Sequence, residues 1–316
     1  MPQSQSLRRD VDTPRLMQLS PAMLSHWNSS PVLLLLFGWM CSSPFLTAAE
    51  KPADAQNLLR TAEAAFKQGQ RVEAVLLADQ AIAADPKDAK GYAMRGQFFE
   101  TMGDHARAIA DFNQVIQRDP KAAMIYQHRG TEHFKAGNFK QSVADFDKFL
   151  ELVPAQAPQH WQRGISCYYA GMFEEGRKQF ELHQTVNPRD VENAVWHFLC
   201  VARATSVTKA RASLIPVTGD ARVPMAEVQL LFAGKVKPED VLKAAQAGEG
   251  SKERRNEQIF YAHLYLGLYY EALGDAAKAR EHILRAANEF KSDHYMGDVA
   301  RVHAAVLKAK GSGKAP

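Results

Sequence analysis

Eleven histidines and three cysteines are the side chains of this 316-residue chain with the widest chemical repertoire. The histidines are scattered, and no pair has the spacing of a zinc-binding helix or knuckle. His128 and His133 lie five positions apart, so on one helix they would share a face poorly. No Gly-x-Ser-x-Gly elbow, phosphate-binding glycine loop or His-Glu-x-x-His occurs. The stretch Gly311-Ser312-Gly313-Lys314 lacks the upstream half of a P-loop. The expectation is therefore a protein without catalytic residues, cofactor or metal. Cys167 and Cys200 lie well apart along the chain, and two outcomes stay open for them. An oxidising compartment could join them in a disulfide, or they could be two buried thiols.

Charge removes a second class of function. The formal net charge is +4 among 39 basic and 35 acidic residues. A nucleic-acid-binding domain concentrates basic side chains on one face. Here the densest basic stretch, Lys252, Arg254 and Arg255, is interleaved with Glu253 and Glu257, the pattern of a solvated helix face. No nucleic acid is expected. Alanine is abundant and β-branched runs are scarce, so helix is favoured over sheet.

Residues 1–49 read as an address. Val32 to Cys41 form an apolar run, and Thr47-Ala48-Ala49 precede the charged Glu50-Lys51. Small residues at the −3 and −1 places are what signal peptidase requires, which places cleavage after Ala49. The run is too short for a membrane-spanning helix, which needs about 20 apolar residues. Trp39 and Met40 stand where a lipoprotein signal has small residues, so Cys41 is read as part of the discarded segment. The expected mature chain is exported, periplasmic and soluble rather than lipid-anchored.

Beyond the leader a single period of about 34 residues organises the sequence. Pro86, Pro120, Pro154 and Pro188 recur at that interval, as do Gly69, Gly103, Gly137 and Gly171. The same interval separates Gly96, Gly130 and Gly164, then Arg95, Arg129 and Arg163, then Phe112, Phe146 and Phe180. Five registers in phase define a repeat of two helices. In the second unit Tyr92, Gly96 and Phe99 line one face of a first helix. Gly103 ends that helix because glycine accepts a left-handed cap. Ala108, Phe112 and Val115 line the second helix, and Pro120 closes the unit.

Units counted from Ala55, Ala89, Ala123 and Ala157 resemble the tetratricopeptide-repeat family. The resemblance implies an all-α, right-handed superhelical solenoid of helix–turn–helix repeats, with four repeats over residues 50–188. Residues 189–256 keep helical composition without the period and read as an irregular helical segment. The pattern returns in Leu266-Gly267, Tyr270, Gly274, Ala279 and Ala286, giving a fifth repeat plus a capping helix over 257–309. Residues 310–316 read as a disordered tail. Phe149 and His183 stand where the family has alanine, which predicts looser packing in units three and four.

In this family the inner wall comes mainly from the first helix of each unit. Carried over, the groove lining is Gln127, Thr131, Phe134 and Lys135 in unit three, and Trp161, Ile165, Tyr168 and Tyr169 in unit four. Leu59, Glu63, Phe66 and Lys67 follow in unit one. Aromatic linings suit a protein or peptide partner. The family's tryptophan normally packs inside the unit, but here His160 holds that place and Trp161 is displaced by one, so either a core or a groove position is open to it. The lysine that some members use to grip a terminal carboxylate is missing. The order of elements also resembles NlpI-type envelope lipoproteins, which implies an adaptor for peptidoglycan hydrolases and a protease. A self-assembling structural subunit is the alternative.

Overall fold

Aspartates and glycines set the boundaries of the helices. The structure, a computed structural model, describes residues 54–247 and 250–311. The leader expected at 1–49 lies outside the described residues, as do residues 312–316 of the expected tail. Asp54, Asp88 and Asp104 each accept a backbone N–H at the start of a helix, satisfying a donor the helix itself leaves unpaired. The first helix of each regular repeat ends in the same turn. Gly103 adopts φ +74, its amide bonds Glu100 O at 3.0 Å, and Asp104 N bonds Phe99 O at 2.9 Å. The equivalent pair recurs at Gly137 and Asn138, at Gly171 and Met172, and at Gly274 and Asp275.

Four helix pairs follow: α1 (Ala55–Lys67) with α2 (Arg71–Ala84), α3 (Ala89–Met102) with α4 (His105–Arg118), α5 (Ala123–Lys135) with α6 (Phe139–Leu152), and α7 (Trp161–Tyr169) with α8 (Phe173–Gln184). The glycine in the first helices of units two to four is a steric requirement. A Cβ at Gly96 would lie 2.8 Å from Phe112, one at Gly130 2.7 Å from Phe146, and one at Gly164 2.6 Å from Phe180. Gly267 repeats the contact with Ile283 in place of phenylalanine, at 2.6 Å. The glycines let the two helices of a unit approach until the aromatic ring touches backbone.

The recurring arginine has a matching set of partners. Arg95 forks onto Asp111 (2.6 and 2.8 Å) and reaches Asp79 of the preceding unit at 2.5 Å. Arg129 forks onto Asp145 and reaches Asn113 at 2.6 Å. In the fourth unit Gln179 replaces the forked aspartate and bonds Ala157 O instead, so Arg163 keeps only Asp147 at 2.5 Å. Charge-assisted bonds of this kind staple each unit to its neighbour.

Unit four departs from the expected register. Its first helix begins at Trp161 rather than Ala157, because a 3₁₀ turn, Pro154–Gln159, with Pro158 inside it, replaces the first turn. His160 caps α7 by accepting Arg163 N and packs against Phe146 and Phe149. The loosening expected from Phe149 and His183 does not occur. Both are buried, and His183 Nδ1 donates to Pro158 O at 2.9 Å.

Past Pro188 the stack continues in a different form. Helix α9 (Val191–Ala204) starts one full period after Ala157 and packs on α8 as a further first helix, though Phe198 fills the place of the small residue. Short helices α10 (Val207–Ala212), α11 (Met225–Phe232) and α12 (Pro238–Ala247) stand where one second helix would be. The returning unit pairs α13 (Lys252–Ala272) with α14 (Ala276–Asn288). Helix α13 thus starts ahead of the boundary expected at 257. Helix α15 (Tyr295–Gly311) packs on α14 and reaches across to α5, and it extends into the start of the stretch expected to be a tail. No helix among the described residues is long and apolar enough to cross a membrane.

Candidate functional site

The inner wall at units three and four is largely filled by the chain's own C-terminal helices. Tyr295 stacks on Phe134 with ring centroids 5.5 Å apart and meets Trp161 edge-on at 4.9 Å. His303 Nδ1 pairs with the Tyr169 hydroxyl at 2.8 Å, and the Tyr168 hydroxyl donates to Glu271 at 3.4 Å. Phe134, Ile165 and Tyr168 are buried, and Tyr169 is half-buried among the same rings. These four residues, expected to line an open groove, are core positions here, because α13 and α15 fold back over the wall. Burial drives the Tyr168 and Tyr169 hydroxyls well above the ordinary tyrosine range.

Gln127 and Thr131 remain partly exposed. Gln127 accepts from His160 Nε2 at 2.6 Å and donates to Gln162 at 2.7 Å, while Thr131 bonds back to Gln127 O. Burial holds the His160 imidazole down at about 4, so it is neutral and serves as a structural donor. Trp161 settles between its two possible places: it is partly exposed and stands at the edge of a cavity.

That cavity has a volume of about 270 Å³. Its wall joins Trp161 and Ile165 of α7 to Asn193 and Trp196 of α9, Tyr261 of α13, and Tyr295 and Met296 of α15. A charged knot forms one side. Arg222, from the loop before α11, bonds Asp190 at 2.6 Å, Asp220 at 2.7 Å and also Glu192. The Tyr265 hydroxyl donates to Glu192 as well. Burial pushes the Glu192 carboxyl up to about 7, although Arg222 and Tyr265 favour its ionised form. Asp220 stays below the usual carboxylate range despite burial, because Arg222 and two backbone amides hold it. Nothing in the sequence singled out this knot. Asp190 and Glu192 look like helix-cap residues, and Arg222 lies far beyond Glu192 in an aperiodic loop.

At units one and two no described residue covers the inner face. Leu59, Glu63, Lys90, Ala93, Met94 and Gln97 line a shallow hollow, with Phe66 stacked on Phe98 at 4.3 Å beside it. Cys167 and Cys200 are separate buried thiols, both close to Gly176, and burial raises the Cys167 thiol to about 11. No group of three or more metal-ligating side chains forms among the described residues.

Stacked helix pairs, close-contact glycines and an inner wall of first helices define an α-solenoid scaffold. A sequence profile described as "Tetratricopeptide repeat" matches residues 59–123, and the helix pairs have the form of that repeat. Among solved structures it is similar to a tetratricopeptide repeat protein from Parabacteroides merdae. That pair shows 16% identity and TM-score 0.48, with 82% of this chain and 86% of the other covered. It is also similar to MamA from Desulfovibrio magneticus RS-1 (16% identity, TM-score 0.46, covering 50% and 89%). A third is YrrB, described as having an unusual peptide-binding site (16% identity, TM-score 0.39, covering 71% and 97%). No curated protein matches the sequence.

Proposed function

We propose that this protein is a non-catalytic, exported adaptor that binds another polypeptide along its inner face and organises cell-envelope enzymes. The observation that carries the reading is the division of that face. At units three and four it is filled by α13 and α15, while at units one and two it stays open among the described residues. The open part offers the exposed side chains of Glu63, Lys67 and Gln97 around a shallow hollow. Solenoids of this kind present extended concave surfaces to partners. The apolar run at Val32–Cys41 and the small residues before Glu50 support export.

Two measurements test the reading. Affinity capture from an envelope extract is run with the wild type and with an Ala93→Arg, Gln97→Arg variant. Partners retained by the wild type and lost by the variant, at equal helical content and melting, are the expected result. Identical partners from both forms would remove the open face from the reading. For export, fractionation with N-terminal sequencing is expected to return a periplasmic chain starting at Glu50, and an unprocessed cytoplasmic chain would overturn it. A second reading, self-assembly, is favoured by Val72 and Leu76, which lie 76% and 50% exposed on α2 at the end of the stack. A molecular mass that rises with concentration and reverts in Val72→Glu would support that reading instead.

A further inference from the structure

The cavity under Trp161 carries features that the fold itself does not need. Its mouth is formed by partly exposed Trp161, His294 and Tyr295 and by Arg222, and its floor by buried Ile165, Phe180, Trp196 and Met296. Two buried lining residues bring polar atoms that the described residues leave unsatisfied. Asn193 and Trp196 are 2% and 1% exposed, and neither Asn193 Oδ1 nor Trp196 Nε1 has a hydrogen-bond partner among the described residues. Unpaired buried polar atoms are uncommon and costly, so their meeting at one cavity points to an occupant. The Asn193 amide nitrogen is already committed to Phe180 O and Gln184 Oε1, which fixes Oδ1 as an acceptor seeking a donor.

Charge decides what kind of occupant fits. Three carboxylates, Asp190, Glu192 and Asp220, surround one guanidinium, Arg222, leaving the knot with an excess of negative charge. The opposite walls are aromatic, with Trp161, Trp196, Tyr261 and Tyr295. Ring faces and carboxylates together suit an organic cation, and a planar guanidinium exploits both by stacking and by presenting several donors. At about 270 Å³ the space falls below the range of drug-sized pockets and suits a single side chain.

We propose that this cavity receives the arginine side chain of a partner polypeptide. The guanidinium donates to Asn193 Oδ1 and to the carboxylates of Asp190 or Glu192, lies against Trp161 and Tyr295, and offsets the knot's negative charge, while the Trp196 N–H, a donor that a guanidinium cannot satisfy, is left for a backbone carbonyl of the partner. The inference rests on the adaptor reading for the polypeptide source of the cation, and it names a seat distinct from the open face of units one and two.

Calorimetry of the full chain with acetyl-Ala-Arg-Ala-amide tests it, beside the citrulline and lysine versions of the same peptide. Citrulline keeps the shape and removes the charge. The arginine peptide is expected to bind at least about tenfold more tightly than the citrulline peptide, with lysine weaker than arginine. Glu192→Gln is expected to weaken arginine binding by a similar factor at unchanged melting. Should that variant fail to fold, Trp161→Ala at the partly exposed mouth is expected to weaken it severalfold. Free arginine binding as tightly as the peptide would show a small-molecule site and overturn the polypeptide source. Equal binding of citrulline, tighter binding of lysine or no binding of the arginine peptide would each overturn the proposal. Partners still captured through the open face in that event would leave the adaptor reading standing.

Discussion

Helices α1 to α4 and the region from α5 onward share one repeat plan but are held together differently. The first pair encloses a small core of Ala62, Ala65, Ala74 and Ala78 capped by Phe98, and the second a separate one around Phe99, Phe112 and Val115. From Phe134 to Val302, by contrast, one cluster of buried side chains joins α5 and α7 to the irregular helices and the C-terminal helices, while Val143, Phe146 and Phe149 of α6 lie outside it. The difference is one of connectivity. In a plain solenoid each unit touches only its neighbours, and stability is a sum of local terms. Once α13 and α15 fold back over the inner wall, residues more than a hundred positions apart share contacts, as Tyr168 and Glu271 do. That region should unfold as a unit, while α1–α4 can fray by steps.

The largest expected effect comes from opening the continuous core. Phe198 is fully buried and meets Phe232 edge-on at 5.1 Å. Phe198→Ala is expected to cost about 3–5 kcal/mol. Hydrogen exchange should show protection lost together from α5 onward and kept in α1–α4. Phe98→Ala should instead loosen only α1–α3, and a loss spread over the whole chain in both variants would erase the contrast.

Acid should act next, at the seam between units three and four. Buried His160 titrates near 4 in the folded chain, whereas an unfolded histidine titrates near 6.5. Between those values the unfolded state binds more protons, so stability falls as pH drops through that window and the loss is complete below about 4. The shift corresponds to a loss on the order of 3 kcal/mol. His263, held near 3 by burial, extends the loss to lower pH. Chemical denaturation at stepped pH should show this fall, and His160→Gln should flatten its upper part.

Smaller substitutions sharpen the comparison within the repeats. Gly96→Ala forces a methyl group against Phe112 and is expected to cost about 2 kcal/mol, read as a lowered melting temperature. Removing Arg129 strands Asp145, whose side chain is 7% exposed, and Arg129→Ala is expected to cost about 1.5 kcal/mol. Arg163→Ala breaks a single bond to the half-exposed Asp147 and should cost less than about 1 kcal/mol. Equal losses for the two arginines would mean that the forked rung adds nothing.

The sequence carried the local part of this structure because the repeat is a local code. Gly96, Gly130, Gly164 and Gly267 announce close helix contacts, Phe112, Phe146 and Phe180 fill them, and Pro120, Pro154 and Pro188 close the units. Each of these acts within a single repeat, so spacing alone reveals them. Helix α9 keeps that phase from Val191 but hides it, since Phe198 stands where the other units have a small residue, Ala62, Gly96, Gly130 or Gly164. Position along a first helix says that a side chain faces inward. It does not say what will meet it there. Phe134, Ile165, Tyr168 and Tyr169 face the inner wall as the pattern implies, yet they are covered, because helices from the far end of the chain return to pack on them. Trp161 stays at a cavity mouth only because Tyr295 arrives beside it. The knot of Arg222 with Asp190, Glu192 and Asp220 likewise depends on a loop path that carries no periodic signal. The sequence by itself determined the repeat unit, its caps and its internal contacts, all of which are made between near neighbours. Tertiary structure alone decided which part of the inner face stays open and where a buried charge would gather, because both follow from how segments distant in the chain come to meet.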